Sequence, residues 1–98
     1  MIANTGIREE VLLELQRLAK DCGVERVLLF GSRARGDYSK TSDIDLAVSG
    51  GDVVRFSLEA EEAISTLLFF DVVNLDGSVQ KELLESIQRE GKILYEEV

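Results

Sequence analysis

A polar segment between two short apolar runs constrains the fold of this chain more than any other feature. The run 27–30 stops abruptly at Gly31-Ser32, and the run 44–48 is interrupted only by Asp45. Short apolar runs bounded by glycine and polar residues are typical of buried strands. The pattern therefore predicts a strand, a turn and a second strand.

The turn at Gly31-Ser32 suits an anion. A glycine at the end of a strand lets the backbone approach a ligand closely. Backbone N–H groups in such a turn can point together at a phosphate, and the Ser32 hydroxyl adds a further donor. We therefore expect Gly31 and Ser32 to bind an anion such as a phosphate group.

Asp43 and Asp45 are spaced two residues apart on the second predicted strand. Alternate residues of a strand project from the same face, roughly 6 to 7 Å apart. Neighbouring carboxylates raise each other's pKa unless a cation lies between them, so such a pair often marks a magnesium site. In phosphoryl transfer, metal ions bridge the phosphate oxygens and take up charge on the leaving group.

Two arginines follow the phosphate turn. The planar fork of donors on Arg33 suits a phosphate, which makes this residue a candidate contact to a bound phosphate. The alternative for Arg33 is a solvated turn or a salt bridge to Asp37 or Asp43. For Arg35 we favour that alternative.

A third acidic residue, Asp71, interrupts the apolar run 68–75. An isolated carboxylate in such a run is costly to bury unless it is paired or binds a metal. Asp71 is therefore our candidate for a third active-site acid, serving as metal ligand or as general base. Asp76 is the weaker alternative, because Asp76-Gly77-Ser78 resembles a turn followed by a helix cap.

Outside the polar segment, hydrophobic periodicity alternates between helix and strand. We expect Asn4 or Thr5 to cap the first helix, Gly23 to end it and Asp52 to cap the second. Periodicity predicts helices around 7–22, 56–67 and 79–87, and strands at 24–30, 44–48, 68–75 and 93–95. With 98 residues and no linker-like segment, the chain is expected to form a single domain, 1–98.

Composition excludes several classes of function. The formal charge of −8 disfavours nucleic acid as the main partner, whereas a basic protein would fit. One cysteine and no histidine exclude an internal disulfide and a zinc cluster. No apolar stretch reaches membrane-spanning length, so we expect a cytoplasmic protein.

The polar segment resembles the signature of the nucleotidyltransferase superfamily with the DNA polymerase beta type of catalytic core. Gly31-Ser32 is followed by ten residues and then by Asp43-Ile44-Asp45, with Ser42 in the usual small polar position before the first Asp. The residues of the motif are most similar to those of the minimal nucleotidyltransferases, which are antitoxin partners of HEPN-domain toxins.

This resemblance implies a two-layer α/β fold, with a small mixed sheet and helices packed on one side. It implies AMP transfer from ATP with two Mg²⁺ ions, held by Asp43, Asp45 and Asp71. Gly31, Ser32, Arg33 and Ser42 would bind the nucleotide. The acceptor would be a tyrosine on a HEPN toxin, in a hetero-oligomeric, type VII-like toxin-antitoxin pair; lacking histidine, the chain cannot supply the toxin's own Arg and His motif.

Two other functions are compatible with the sequence. The domain could neutralise a toxin by contact alone, with a weak or inactive site. Superfamily members of that kind commonly lose motif residues, whereas this chain retains Gly31, Ser32, Asp43 and Asp45. Nucleotidyl transfer to a small molecule is less favoured, because relatives of that kind usually have an added domain that binds the acceptor.

Overall fold

The computed structural model describes residues 4–97. All the helices and strands predicted from periodicity are present, with ends that differ by a few residues, and the α/β fold class is confirmed. Among residues 4–97 no helix has the length and hydrophobicity needed to cross a bilayer. In chain order the elements are α1 (Glu9–Asp21), β1 (Arg26–Phe30), α2 (Ser32–Arg35), β2 (Ile44–Ser49), α3 (Val53–Ala63), β3 (Phe70–Asn74), α4 (Lys81–Glu90) and β4 (Lys92–Glu96).

The four strands form one mixed sheet in the order β3-β2-β1-β4. β1 is antiparallel to both β2 and β4, whereas β2 and β3 are parallel and joined through α3. A parallel pair needs a crossover connection of this kind. The mixed strand directions implied by the resemblance are therefore confirmed, and the end of β1 meets the starts of β2 and β3 at one edge of the sheet.

The main hydrophobic core lies between one face of the sheet and the helices α1 and α3. Alternate residues of β1 and β2 point into it, as the two-residue period of a strand requires. Its α1 members recur on one helical face. The buried members from these elements are Val11, Leu12, Leu15, Leu18, Ala19, Val27, Leu29, Ile44, Leu46, Val48, Val53, Phe56 and Ala60.

Helix α4 covers the opposite face of the sheet. Its buried residue Ile87 packs with Phe30 and Ala47 in a second, smaller core. The expectation that the helices pack on one side therefore holds for α1 and α3 but is wrong for α4. β1 carries apolar side chains on both faces, so the second face of the sheet also needs a cover, and periodicity does not say which helix provides it.

The helix ends differ from prediction at one site and match it at another. The cap of α1 is Arg8, whose side chain makes no capping bond, rather than Asn4 or Thr5. Thr5 is instead buried, and its hydroxyl accepts a hydrogen bond from the Ile7 N–H at 3.2 Å. Asp52 caps α3 as predicted, accepting the Arg55 N–H at 3.0 Å.

Candidate active site

The sheet places two of the predicted acids side by side on neighbouring strands. Asp45 on β2 lies in register with Asp71 on the parallel strand β3 and with Phe30 at the end of β1. Strand alternation places Asp45 on the same face as Ala47, the face that α4 partly covers. Asp43 precedes β2 by one residue, so the three predicted carboxylates lie at one edge of the sheet.

The three carboxylates differ in exposure. Asp45 is half-buried, whereas Asp43 and Asp71 are exposed. The expectation that Asp71 lies in a buried strand is therefore wrong, although its strand does pair with the Asp-x-Asp strand. β3 is an edge strand and none of its five residues is fully buried, which leaves Asp71 open to solvent and to a ligand.

The electrostatic environment of Asp45 opposes its negative charge. Burial, followed by the charges of Asp71 and Asp43, raises the pKa of Asp45 from its ordinary value of 3.8 to about 6, and only Arg35 acts in the opposite direction. Desolvation and like charges both disfavour an ionised carboxylate. The site is therefore short of positive charge, as expected for carboxylates that bind a cation.

Gly31 allows the phosphate turn to lie directly against Asp45. Its φ of +74° is in a region that glycine adopts at low cost, and a Cβ at this position would collide with the Asp45 carboxylate. Gly31 also caps the short helix α2, whose first residue is Ser32. The structure thus brings together the turn and the carboxylate that the sequence motif combines.

Arg33, a predicted nucleotide contact, makes its polar contacts inside the protein. Its side chain is buried, and its guanidinium donates hydrogen bonds to four backbone carbonyls. The interpretation of Arg33 as a solvated or ion-paired turn residue is therefore wrong, while its contact with the nucleotide remains a prediction. Arg33 is neither in a solvated turn nor in an ion pair among the described residues, and the geometry gives no support to a contact with the nucleotide.

Ser42 closes the loop that leads into the Asp-x-Asp strand. Its side-chain oxygen accepts a hydrogen bond from the Ser39 N–H at 2.8 Å, and its carbonyl accepts one from Arg33 Nε at 3.0 Å. Side-chain bonds of this kind are common in turns. The role of Ser42 in nucleotide binding remains a prediction, while its contacts show how the residue shapes the loop.

Sequence reasoning did not find one neighbour of the site, Glu90. Arg35 donates to Asp37 at 3.2 Å, as expected, and also to Glu90 near the end of α4 at 3.1 Å. Because the positive charge of Arg35 lowers the pKa of Asp45, this pair of contacts holds a cation near the carboxylates. No local signal could reveal Glu90, since it lies 55 residues from Arg35 in the chain.

The donor set fits a hard divalent cation. Mg²⁺ prefers carboxylate oxygens and often uses only one or two of them, together with water and substrate phosphates. Asp45 has the raised pKa of a carboxylate that lacks a counter-ion, and Asp71 is its direct register partner. Across residues 4–97 no three His, Cys, Asp or Glu side chains are already arranged to hold one ion. Binding of a cation by all three carboxylates would therefore require these side chains to move closer to one another.

Comparison with known proteins agrees with this geometry. The family described as "Polymerase beta, Nucleotidyltransferase" matches residues 14–98. Two proteins of Methanocaldococcus jannaschii are similar in sequence. "Putative protein adenylyltransferase MJ0604" is 33% identical over 82 residues, covering 74% of this chain and 79% of that protein. "Putative protein adenylyltransferase MJ0435" is 44% identical over 48 residues, covering 43% of this chain and 52% of that protein.

Solved structures share the same fold. A chain of a toxin-antitoxin complex with AMP-PNP superimposes with a TM-score of 0.69 at 24% identity, covering 92% of this chain and 75% of its own length. A mutant of the toxin-antitoxin pair MntA-HpeT gives a TM-score of 0.65 at 25% identity, covering 93% and 74%. With the family match over residues 14–98, the chain belongs to the polymerase beta family of nucleotidyltransferases, as a minimal member.

Proposed function

We propose that this protein is a Mg²⁺-dependent adenylyltransferase that moves AMP from ATP to a hydroxyl of a partner protein. The observation that carries this proposal is the register of Asp45 opposite Asp71, with Gly31 packed directly against Asp45. A phosphate-binding turn and acidic metal ligands are the two parts that nucleotidyl transfer requires.

In the proposed reaction each residue has a defined task. The acceptor oxygen forms a bond to the α-phosphorus of ATP. The bond between that phosphorus and the oxygen that bridges the α- and β-phosphates breaks, and pyrophosphate leaves. Gly31 and Ser32 hold the outer phosphates, and the Asp71 carboxylate takes the proton of the attacking hydroxyl. Two Mg²⁺ ions, held by Asp43, Asp45 and Asp71, would supply charge stabilisation for the leaving pyrophosphate.

The proposed acceptor is a tyrosine of a HEPN-domain toxin, whose modification would silence the toxin. Support comes from the resemblance of the 31–45 motif to the minimal nucleotidyltransferases and from the names of the Methanocaldococcus relatives. The similarity to a chain of the MntA-HpeT toxin-antitoxin pair adds to it. A formal charge of −8 suits a basic protein surface as partner, and we place the reaction in the cytoplasm, where ATP and Mg²⁺ are abundant.

The decisive test is transfer of label from α-labelled ATP in the presence of Mg²⁺. The wild-type protein is incubated with and without the protein encoded by the adjacent reading frame, and mass spectrometry locates the modified residue. We expect covalent AMP on a partner tyrosine and none with Asp43→Asn. Transfer that persists undiminished in Asp43→Asn would count strongly against the assignment.

Matched variants separate the third acid from its alternative. Asp71→Asn should abolish labelling, because Asp71 faces Asp45. Asp76→Asn should leave labelling within about twofold, because the Asp76 carboxylate accepts the Gly50 N–H at 2.8 Å and Asn can still accept that bond. If the wild-type protein transfers no label but binds the partner tightly, neutralisation by contact alone is the better account.

A further inference from the structure

The guanidinium of Arg33 lies inside the protein and is surrounded by backbone oxygens. The residue is only 1% exposed. Nε donates to Ser42 O at 3.0 Å and Nη1 to Thr5 O at 2.9 Å. Nη2 donates to Ser39 O at 3.4 Å and to Lys40 O at 3.3 Å. Four of the five N–H groups of the side chain are thus committed to the protein's own backbone.

The charge of Arg33 is balanced without a carboxylate. None of the ion pairs among residues 4–97 involves Arg33. The Tyr38 ring lies under the guanidinium, 5.0 Å from its carbon to the ring centroid. Carbonyl dipoles and an aromatic face both stabilise a buried cation. Arg33 could therefore reach a phosphate only by giving up these contacts.

Arg33 joins two segments that are distant in sequence. Thr5 belongs to the segment before α1, whereas Ser39, Lys40 and Ser42 belong to the loop 37–43 before β2. Gly6 completes the enclosure, because a Cβ at this position would collide with the Tyr38 ring. The loop is therefore tied to the N-terminal segment through one side chain.

The contact with Ser42 bears directly on Asp43. The Ser42 carbonyl that accepts from Arg33 Nε belongs to the peptide group whose nitrogen is that of Asp43. On the other side, the N–H of fully buried Ile44 donates to Phe69 O at 2.9 Å. The backbone of Asp43 is thus held between two anchored peptide groups, one of which depends on Arg33.

Building on the proposed transfer reaction, we propose that Arg33 is a positioning residue: it holds the loop 37–43 so that Asp43 is placed for catalysis, without touching the nucleotide. A displacement of about 1 Å in a catalytic group can lower a rate by about a hundredfold. Loss of the Arg33 contacts should therefore lower kcat for AMP transfer far more than it raises KM for ATP.

The test compares Arg33→Lys with Arg26→Lys as the matched control. Lysine retains the charge but loses the planar fork, so it cannot bond all four carbonyls. Arg26 is exposed and pairs with Glu96 at 3.3 Å, at the end of β1 remote from Gly31. Amide hydrogen exchange is measured on the nucleotide-free proteins, at Ser39 and Ser42 in the loop and at Val27 and Leu46 in the sheet.

We expect Arg33→Lys to exchange at least about tenfold faster at Ser39 and Ser42, with the sheet amides unchanged within about twofold. We also expect kcat to fall at least about tenfold, while KM for ATP stays within about threefold. Arg26→Lys should match the wild type in both measurements. Tyr38→Leu provides a second variant, which keeps the carbonyl contacts of Arg33, removes the ring and tests the role even if Arg33→Lys fails to fold. Its loop exchange should rise about threefold.

Four outcomes would overturn this role, in whole or in part. A rise in KM for ATP of tenfold or more, with unchanged loop exchange, would make Arg33 a nucleotide contact. Faster exchange in loop and sheet alike, or unchanged kcat, would leave Arg33 with a purely structural task. A wild-type protein that transfers no AMP overturns the proposed function and the catalytic part of this role, while the exchange comparison still decides whether Arg33 holds the loop.

Discussion

Two charged side chains, Arg33 and Asp45, lie twelve residues apart in sequence but in opposite electrostatic environments. Arg33 is fully buried, and the protein's own carbonyls and the Tyr38 ring satisfy it. Asp45 is only half-buried, yet burial and two neighbouring carboxylates raise its pKa to about 6. A buried charge that is fully hydrogen-bonded serves the fold, whereas an uncompensated one marks a place for a ligand. The comparison therefore assigns Arg33 to the structural framework of this protein and Asp45 to its candidate active site.

The largest expected effect tests the chemical side of this comparison. Asp45→Asn should lower kcat for AMP transfer by about a thousandfold or more, because it removes one of the carboxylates proposed to hold the Mg²⁺ ions that would offset charge on the leaving pyrophosphate. The far-ultraviolet circular dichroism spectrum should stay unchanged, since the amide has nearly the same shape. Label transfer is the measurement, and residual activity within tenfold of the wild type would remove Asp45 from the catalytic group.

The next effect tests the structural side. Arg33→Met leaves four backbone carbonyls without their donor and should lower the free energy of unfolding by about 3 kcal/mol. Arg26→Met, at an exposed ion pair, should lower it by less than about 1 kcal/mol. Urea denaturation measures both. Equal losses in the two variants would show that burial does not distinguish these arginines.

A smaller effect follows from the pKa of Asp45. Because this pKa is raised in the folded state, protonation of Asp45 increases the free energy of unfolding. The increase is fully present below about pH 3.8 and is lost as the pH rises through about 6. Asp45→Asn should therefore be more stable than the wild type at pH 8, by about 1 kcal/mol after allowance for solvent screening. At pH 4.5 the difference in stability between the variant and the wild type should be about a third of its value at pH 8.

The pH experiment requires metal-free buffer, because a bound cation would itself neutralise the site. Thermal unfolding in the presence of EDTA, compared between wild type and Asp45→Asn from pH 4.5 to pH 8, gives the gap directly. Asp76→Asn serves as the control, since its carboxylate lies outside the Asp43, Asp45 and Asp71 group. A gap that stays constant with pH would mean that Asp45 ionises normally.

The smallest effect concerns the metal. At pH 8, Mg²⁺ at about twice its Kd should stabilise the wild type by about 0.6 kcal/mol, because it binds only the folded state. The Asp45→Asn variant should gain nothing. The measurement is the shift in Tm, with KCl at matched ionic strength as the reference. Equal shifts in both proteins would point to general screening instead of a site at Asp45.

Much of the fold and of the candidate site could be predicted because the signals are local. The two-residue alternation of Ile44, Leu46 and Val48 places these side chains in the main core and leaves Asp45 on the other face. Gly31 predicts a close approach of the backbone to another group, and in the structure that group is the carboxylate of Asp45. These features depend on neighbours in sequence and on the geometry of a strand.

Other features could not be predicted because they depend on distant partners. Arg33 and Arg35 are the same residue type on one short helix, yet the first is buried and the second is exposed. Thr5 and Tyr38 enclose Arg33, whereas Asp37 and Glu90 pair with Arg35. Nothing in the local pattern shows which of the two arginines is buried, so the sequence left Arg33 open between a phosphate contact and a solvated or ion-paired turn residue, and it did not predict the burial of this side chain.

The sequence by itself determined the family, the three longer helices, the four strands, and the motif from Gly31 to Asp45, because spacing and periodicity are properties of neighbouring residues. Only the tertiary structure decided that Asp71 faces Asp45 from an exposed edge strand, that α4 covers the second face of the sheet, and that Arg33 anchors the loop before Asp43. The physical reason is that strand register, helix placement and the burial of a charge are set by contacts between segments far apart in the chain.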